Sequence, residues 1–166
     1  MKILVTGANG FIGRNLCVHL NEAGFLDIVT ITRDDNDKSI DEKVKNADFI
    51  YHLAGINRPE NDDEFKTGNT DLTQKIVDIL INNECTTPIL LTSSIQADLN
   101  NPYGVSKASA ESAVASYMEK TGSATYVYRL PNVFGKWCRP NYNSAVATFC
   151  YNTINDLPIT IHNADA

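Results

Sequence analysis

The sequence predicts an α/β fold in which a doubly wound parallel sheet, of the Rossmann type, is covered by helices on both faces. Short β-branched segments alternate with longer amphipathic segments about five times along the 166-residue chain, a pattern typical of parallel sheets. Right-handed crossovers between successive strands give the doubly wound arrangement. A glycine-rich turn joins the first predicted strand to the first predicted helix, and the chain is long enough for one core of this kind.

The first half of the chain contains three predicted strands and two predicted helices. Its first strand is short, apolar and β-branched, and in the first helix Phe11, Leu16 and Leu20 recur at helical spacing. The second helix is entered through an acidic loop at residues 34–37. The strands span residues 2–6, 27–32 and 48–53, and the helices span residues 11–23 and 39–46.

The second half continues the alternation and starts with a long helix. That helix begins at Glu64 or at Asp71 and ends at Asn82. Another long helix begins at Pro102 and ends before Gly122, because Pro suits a helix start and Gly suits the position after a helix end. The predicted strands span residues 88–92, 124–130 and 158–161, and the later helices span residues 102–120 and 143–155.

Composition and charge exclude several classes of partner. Acidic residues outnumber basic residues 20 to 14 and the formal net charge is −6, so broad binding to nucleic acid or to an anionic membrane surface is not expected. No apolar stretch approaches the roughly 18 residues that cross a bilayer. The four cysteines lie far apart without a CxxC pair, which favours reduced thiols in the cytoplasm and predicts no metal site. His52 is predicted to be a packed residue rather than a catalyst.

The turn at residues 6–13 reads Thr-Gly-Ala-Asn-Gly-Phe-Ile-Gly and predicts a dinucleotide site. Its glycines allow a tight turn, a phosphate close to the backbone and close packing of helix on strand. The helix that follows presents free N–H groups to a pyrophosphate. A glycine-rich connection without a ligand is the alternative, and the position between strand and helix disfavours it. The predicted cofactor-binding residues of this turn are Gly7, Asn9, Gly10, Phe11, Ile12 and Gly13.

The end of the second strand predicts which dinucleotide binds. NAD-binding proteins usually place an acid there for the ribose 2′-hydroxyl, whereas an arginine suits the 2′-phosphate of NADP. Arg33 comes first and is followed by Asp34 and Asp35. The sequence therefore favours NADP, with NAD as the alternative because either aspartate could touch a ribose.

Tyr103 and Lys107 lie four residues apart near the start of a predicted helix, so their side chains share one face. A phenol has a reference pKa near 10, and a neighbouring ammonium is expected to lower the pKa of Tyr103 enough for proton exchange. Lys107 can also bind the ribose of a nicotinamide cofactor. A hydroxyl that polarises a carbonyl would complete the set, and the fourth strand ends in Thr92, Ser93 and Ser94.

Together these motifs resemble the extended short-chain dehydrogenase/reductase family of nucleotide-sugar epimerases, dehydratases and reductases. TGANGFIG resembles the cofactor turn of the family, YGVSK its tyrosine-lysine pair, and RLPNVFG a later segment beside the sugar. DFIYHLAG resembles the segment that runs along the cofactor, which implies cofactor contacts for Leu53, Ala54 and Gly55. Asn69 falls where the family carries a helix asparagine. The resemblance implies cofactor-binding roles for Tyr103 and Lys107 as well as catalytic ones.

The resemblance also assigns the catalytic hydroxyl, although two alignments remain open. An ungapped alignment gives Ser93, and a shift of one residue gives Ser94. The tyrosine-glycine that usually follows the serines is replaced by Ile-Gln-Ala at residues 95–97. Sugar dehydratases of the family carry an Asp-Glu pair just after this hydroxyl, and its absence here leaves ketone reduction or epimerisation.

Four segments resemble, more narrowly, reductases of capsule and O-antigen polysaccharide synthesis: AGINRPENDDEF, SSIQAD, NPYGVSK and PNVFGKWCRPNYNSAVATFCYN. This implies NADPH-dependent reduction of a UDP-linked 4-keto-6-deoxy sugar of the N-acetyl-talose type. Asn57, Asn132 and Lys136 are then expected to bind the nucleotide sugar. Such reductases also carry a zinc-binding cupin domain, to which nothing in this sequence corresponds, so no metal is carried over.

The family comparison also predicts the domain organisation. Extended members are longer than 166 residues, so the chain is expected to be the N-terminal part of a longer protein. Residues 1–135 would form the dinucleotide-binding domain and residues 136–166 the beginning of a substrate lobe. A homodimer is expected. An epimerase with tightly held NAD and a non-catalytic dinucleotide-binding module remain the alternative functions.

Overall fold

The computed structural model describes residues 1–61 and 63–161. The chain divides into two compact units, Met1–Pro131 and Asn132–Ala166. Along the chain the elements are β1 (Ile3–Thr6), α1 (Phe11–Glu22), β2 (Ile28–Ile31), α2 (Asp37–Lys45), β3 (Phe49–His52), α3 (Asp63–Phe65), a π-helix (Lys66–Asp71), α4 (Leu72–Asn82), β4 (Ile89–Ser94), a 3-10 helix (Ile95–Asp98), α5 (Pro102–Thr121), β5 (Thr125–Leu130) and α6 (Ala145–Ile154).

The first unit contains a five-stranded sheet in the order β2-β1-β3-β4-β5. All neighbouring strands are parallel, and Thr6 at the end of β1 pairs with Ile31 on one side and with His52 on the other. The predicted doubly wound parallel sheet is therefore confirmed. The direction of winding reverses between β1 and β3, and such switch points open a crevice at the carboxyl ends of the strands.

The apolar core lies on both faces of this sheet. One cluster joins strand residues such as Leu4, Ile50 and Leu91 to buried side chains of α2, α4 and α5. The other consists of Ile3 and Val5 of β1 packed against Leu20 of α1. Alternate residues of β1 thus face opposite clusters, as expected for a strand buried on both sides. None of the described helices is long and apolar enough to cross a membrane.

Two regions differ clearly from the sequence prediction. The long helical segment before β4 starts at Asp63 and passes through a π-helix before it becomes α4. The strand predicted at residues 158–161 is wrong, because the described backbone there forms no strand. Instead the carbonyl oxygen of Pro158 accepts a hydrogen bond of 2.8 Å from the side chain of Asn152 on α6, and Pro158 has no N–H to donate to a ladder.

Candidate active site

The glycines of the turn between β1 and α1 allow the backbone to pack closely against itself and against the segment after β3. Gly7 has φ +69°, and a Cβ atom there would lie 2.7 Å from the backbone nitrogen of Ala54. A Cβ on Gly13 would lie 2.2 Å from the oxygen of Gly7. The N-cap of α1 is Gly10, which has no side chain with which to cap the helix. Its first N–H groups therefore suit an anion such as a pyrophosphate, and the cradle fits the predicted dinucleotide.

The segment after β3 lies directly beside this turn. The backbone nitrogen of Ala54 donates to the hydroxyl of Thr6 at 3.0 Å, and that of Leu53 donates to the Thr6 oxygen at 3.3 Å. A Cβ on Gly55 would lie 2.8 Å from Asn69 Oδ1 and 3.3 Å from Lys107 Nζ. The residues predicted to line the cofactor are thus held between the glycine turn and α5.

Asn69, which lies in the π-helix and is 2% exposed, bonds this segment to α5. We call its hydrogen bonds to Ile56 and Ser106 the Asn69 clamp. Its Oδ1 accepts from the backbone nitrogen of Ile56 at 2.8 Å, and its Nδ2 donates to the Ile56 oxygen at 3.0 Å. The same amide donates to Ser106 Oγ at 3.0 Å, and Ser106 Oγ donates to the backbone oxygen of Tyr103 at 2.7 Å. The clamp therefore reaches the backbone of the candidate catalytic tyrosine.

Lys107 is buried on α5, with 7% of its surface exposed. Its Nζ donates to the backbone oxygen of Thr92 at 2.9 Å. Burial lowers the pKa of Lys107 to about 8, and the charge of Glu111 one turn later opposes that shift. The ammonium form still predominates at neutral pH.

Tyr103 is half-buried, and its ring packs against Phe65 with the centroids 5.6 Å apart. Burial raises the pKa of Tyr103, while the hydroxyl of Ser94, which hydrogen-bonds the phenolate form, acts in the opposite direction. The expectation that Lys107 lowers this pKa is therefore wrong for this structure, in which the ammonium is engaged by the Thr92 carbonyl. The phenol stays protonated at neutral pH, which suits a proton donor.

The structure brings Ser94, rather than Ser93, to Tyr103. β4 extends through both serines, so their side chains point to opposite faces of the sheet. Ser93 lies on the face of Leu91, and its buried oxygen has no standard hydrogen bond among the described residues, although it lies close enough to Glu111 to lower the pKa of that carboxyl. Ser94 Oγ contacts Tyr103 and accepts from the backbone nitrogen of Gln96 at 3.2 Å.

Asp34 and Asp35, which follow Arg33, differ in their exposure and in their hydrogen bonds. Asp35 accepts hydrogen bonds from the Thr32 nitrogen at 2.8 Å and from Ser39 Oγ at 2.6 Å, and it pairs with Lys43. These partners hold the pKa of Asp35 well below its usual range. Asp34 and Arg33 are exposed. Of the two aspartates, Asp35 is thus the one whose carboxylate already has partners within the protein.

The predicted sugar-binding residues belong to both units of the chain. Asn57 is exposed in the loop after β3 in the first unit. Asn132 and Lys136 belong to the second unit, where both are exposed and Lys136 Nζ lies 4.5 Å from the ring centroid of Trp137. All three remain predictions as substrate contacts.

Sequence reasoning missed Phe65 and Ser106. Ser106 precedes Lys107 inside the tyrosine-lysine motif, so its position gave a signal that was available. Phe65 follows a polar loop and reaches Tyr103 only through the tertiary fold, and no local pattern marks it.

The fold and this site define a Rossmann domain of the tyrosine-lysine short-chain dehydrogenase/reductase class. Residues 3–162 match the model of the NAD dependent epimerase/dehydratase family, and the chain belongs to that family, as its motifs predicted.

Two named proteins are similar to the whole of this chain and indicate a narrower class within the family. The whole chain is 54% identical to a UDP-2-acetamido-2,6-beta-L-arabino-hexul-4-ose reductase of Pseudomonas aeruginosa and covers 45% of it. The capsular polysaccharide assembling protein CapF of Staphylococcus aureus matches 100% of this chain with a TM-score of 0.85 and 44% identity, over 45% of its own length. The chain therefore spans less than half of these relatives, and the narrower resemblance to capsule-related reductases is confirmed.

A second solved structure shows the fold alone. UDP-glucuronic acid 4-epimerase from Bacillus cereus, in complex with NAD, is 23% identical with a TM-score of 0.79, and the match covers 97% of this chain and 66% of the epimerase.

Proposed function

We propose that the chain is the cofactor-binding and catalytic part of an NADPH-dependent reductase of a UDP-linked 4-keto-6-deoxy sugar, in capsule or O-antigen precursor synthesis. The observation that carries the proposal is the placement of Tyr103 on α5, in contact with Ser94 and one helical turn from Lys107. The identity to a hexul-4-ose reductase supports the substrate class. A cytoplasmic location and a homodimer are part of the proposal.

In the proposed reaction Tyr103 is the general acid and Ser94 polarises the ketone. NADPH, when bound, supplies the hydride that reduces the carbonyl carbon. The Ser94 hydroxyl donates a hydrogen bond to the carbonyl oxygen, and Tyr103 Oη transfers its proton to that oxygen as the C=O bond becomes C–OH. Solvent then returns a proton to the tyrosine.

Lys107 is proposed to hold the ribose of the cofactor. It carries a positive charge at neutral pH, since its pKa is about 8, and this charge suits the ribose hydroxyls. The phenolate left by the proton transfer forms in a half-buried position beside Phe65, where an anion without a partner would be costly and where the Ser94 hydroxyl is the group that hydrogen-bonds it.

The choice of NADPH rests on Arg33 and Asp35. Arg33 is exposed after β2, where a guanidinium can pair with a 2′-phosphate through two parallel hydrogen bonds. Asp35, whose carboxylate would repel that phosphate or bind the 2′-hydroxyl of NAD, is paired with Lys43 and bonded to Ser39.

An epimerase with tightly held NAD is the second candidate, favoured by the family match. Epimerisation begins with removal of a proton from a sugar hydroxyl, which needs Tyr103 as a base. The 54% identity to a hexul-4-ose reductase supports reduction over epimerisation.

Absorbance measurements with the purified protein separate the candidates. Oxidation of added NADPH in the presence of the UDP-4-keto sugar supports the reductase. Purified protein that carries NAD and converts a UDP-sugar without added cofactor would contradict it.

A further inference from the structure

A chain of hydrogen bonds centred on His52 joins the segment after β3 to Asn69 in the π-helix. His52 is completely buried at the end of β3. Its Nδ1 lies 2.6 Å from Thr6 Oγ1, and its Nε2 lies 2.8 Å from Thr73 Oγ1 on α4. Thr6 Oγ1 also accepts from the Ala54 nitrogen at 3.0 Å, and Thr73 Oγ1 donates to the Asn69 oxygen at 2.6 Å.

The partners of the two threonines determine the tautomer of the imidazole. Thr73 has one hydroxyl proton, and the carbonyl of Asn69 can only accept, so that proton is used there. Thr73 Oγ1 must then accept from His52, which places the ring proton on Nε2. Burial lowers the pKa of His52 to about 3, so the ring is neutral and its Nδ1 accepts from the Thr6 hydroxyl.

The donor and the acceptor of each of the four hydrogen bonds are thereby assigned. Ala54 N–H donates to Thr6, Thr6 donates to Nδ1, Nε2 donates to Thr73, and Thr73 donates to the carbonyl of Asn69. The order cannot be reversed, because one end is an amide N–H and the other a carbonyl oxygen. A side chain that offers only a donor or only an acceptor satisfies half of this chain.

The two ends of this series of hydrogen bonds belong to the candidate site. Thr6 precedes Gly7 of the glycine turn, and Ala54 belongs to the predicted cofactor segment. Asn69 clamps Ile56 and, through Ser106, the backbone of Tyr103. A ring that pairs with both threonines therefore fixes the distance from the glycine turn to the clamp.

We propose that His52, as the Nε2–H tautomer, is a positioning residue that holds the cofactor segment 53–55 between the glycine turn and the Asn69 clamp. The inference rests on the proposed function for its role in turnover, whereas its structural content concerns cofactor binding alone. A merely packed histidine would have no required tautomer, and an apolar ring would replace it without effect on the cofactor.

The tautomer is tested by long-range ¹H–¹⁵N NMR of the folded protein at neutral pH. The ring of His52 is assigned as the one whose signals are lost in His52→Phe or, should that variant not fold, in His52→Gln, and it is expected to have a protonated Nε2 and an unprotonated Nδ1. A ring protonated on Nδ1, or on both nitrogens, would overturn the inference.

Positioning is tested by fluorescence titration with NADPH, using variants that divide the two hydrogen bonds. His52→Asn keeps an acceptor toward Thr6 and His52→Gln keeps a donor toward Thr73, while His52→Phe keeps neither. We expect His52→Phe to raise the Kd for NADPH by about tenfold or more and the two amides to give smaller increases. His19→Gln, at a side chain 75% exposed, is the matched control and should leave the Kd unchanged.

Thr73→Val keeps the histidine and removes its acceptor, so it tests the same point if His52→Phe does not fold. A raised Kd with normal circular dichroism supports the inference, and folded variants that all bind NADPH as tightly as the native protein overturn it. A native protein that binds NADPH but reduces no keto sugar would refute the proposed function while leaving both of these tests valid.

Discussion

Lys107 Nζ on α5 donates a hydrogen bond of 2.9 Å to the backbone oxygen of Thr92, two residues before the end of β4. A buried ammonium needs such an acceptor, so the bond fixes α5 to the strand that carries the serines. Tyr103 lies one turn before Lys107 on the same face and is thereby held in contact with Ser94. The same hydrogen bond between Lys107 and Thr92 thus positions both Tyr103, the proposed acid, and Ser94, the proposed carbonyl-polarising group.

The two serines should differ strongly in turnover. Ser94→Ala is expected to lower kcat about 10²- to 10³-fold, because it removes a hydrogen-bond donor to the developing charge on the carbonyl oxygen. Ser93→Ala should change kcat only slightly, because Ser93 faces Glu111. Steady-state NADPH oxidation measures both. A larger loss in Ser93→Ala than in Ser94→Ala would restore the ungapped alignment.

Arg33→Ala should change the preference between cofactors. Loss of a guanidinium that pairs with the 2′-phosphate is expected to raise the Kd for NADPH about tenfold or more, while the Kd for NADH should hardly change. Fluorescence titration with each cofactor gives the ratio. Equal weakening of both cofactors, or tighter binding of NADH than NADPH by the native protein, would refute the assignment.

Burial of His52 should make the free energy of unfolding depend on pH. The pKa of His52 is lowered from 6.5 to about 3 in the folded protein, so below pH 6.5 the unfolded chain binds a proton that the folded protein does not. The free energy of unfolding is therefore not reduced by His52 above pH 6.5. Below that pH it decreases, with a slope approaching about 1.4 kcal/mol per pH unit.

Urea unfolding of the native protein and of His52→Gln between pH 7 and pH 5 checks this slope. The native protein should lose stability across this interval, and the variant should lose less. His19→Gln should behave like the native protein. Parallel curves for the native protein and His52→Gln would show that His52 is not the group responsible.

Activity should fall at alkaline pH as Lys107 loses its charge. Burial lowers the pKa of Lys107 to about 8, so the charged form exists below that pH and is lost above it. We expect kcat/KM for NADPH, which reports the free protein, to decrease above pH 8. Lys107→Arg, if active, should move the decrease to higher pH because a guanidinium stays charged. A profile that is level to pH 10 in the native protein would contradict this role.

The parts of the site that could be predicted from the sequence are local. The glycine turn and the pair Tyr103 and Lys107 each lie within one strand–helix junction or one helical turn, so spacing alone gives their geometry. The choice between Ser93 and Ser94 could not be made in this way. It depends on β4 continuing to Ser94, past the predicted end at residue 92, because the alternation of faces then separates the two hydroxyls.

The long-range contacts were beyond the reach of sequence patterns. His52 was predicted to be packed, and its burial confirms that, yet its partners lie 46 residues before it and 21 residues after it in the chain. The pKa of Tyr103 was predicted in the wrong direction because burial beside Phe65 and the engagement of Lys107 by Thr92 both arise from tertiary packing.

The most direct test of the account follows deuterium from [4-²H]NADPH into the UDP-4-keto sugar, in the native protein and in Tyr103→Phe. The native protein should place deuterium on C4 of the sugar. Tyr103→Phe should lower this rate about 10²- to 10⁴-fold, because the proton donor is lost, with little change in the Kd for NADPH. Undiminished transfer by Tyr103→Phe, or a native protein that transfers no deuterium while interconverting UDP-sugars on its own bound NAD, would contradict the account.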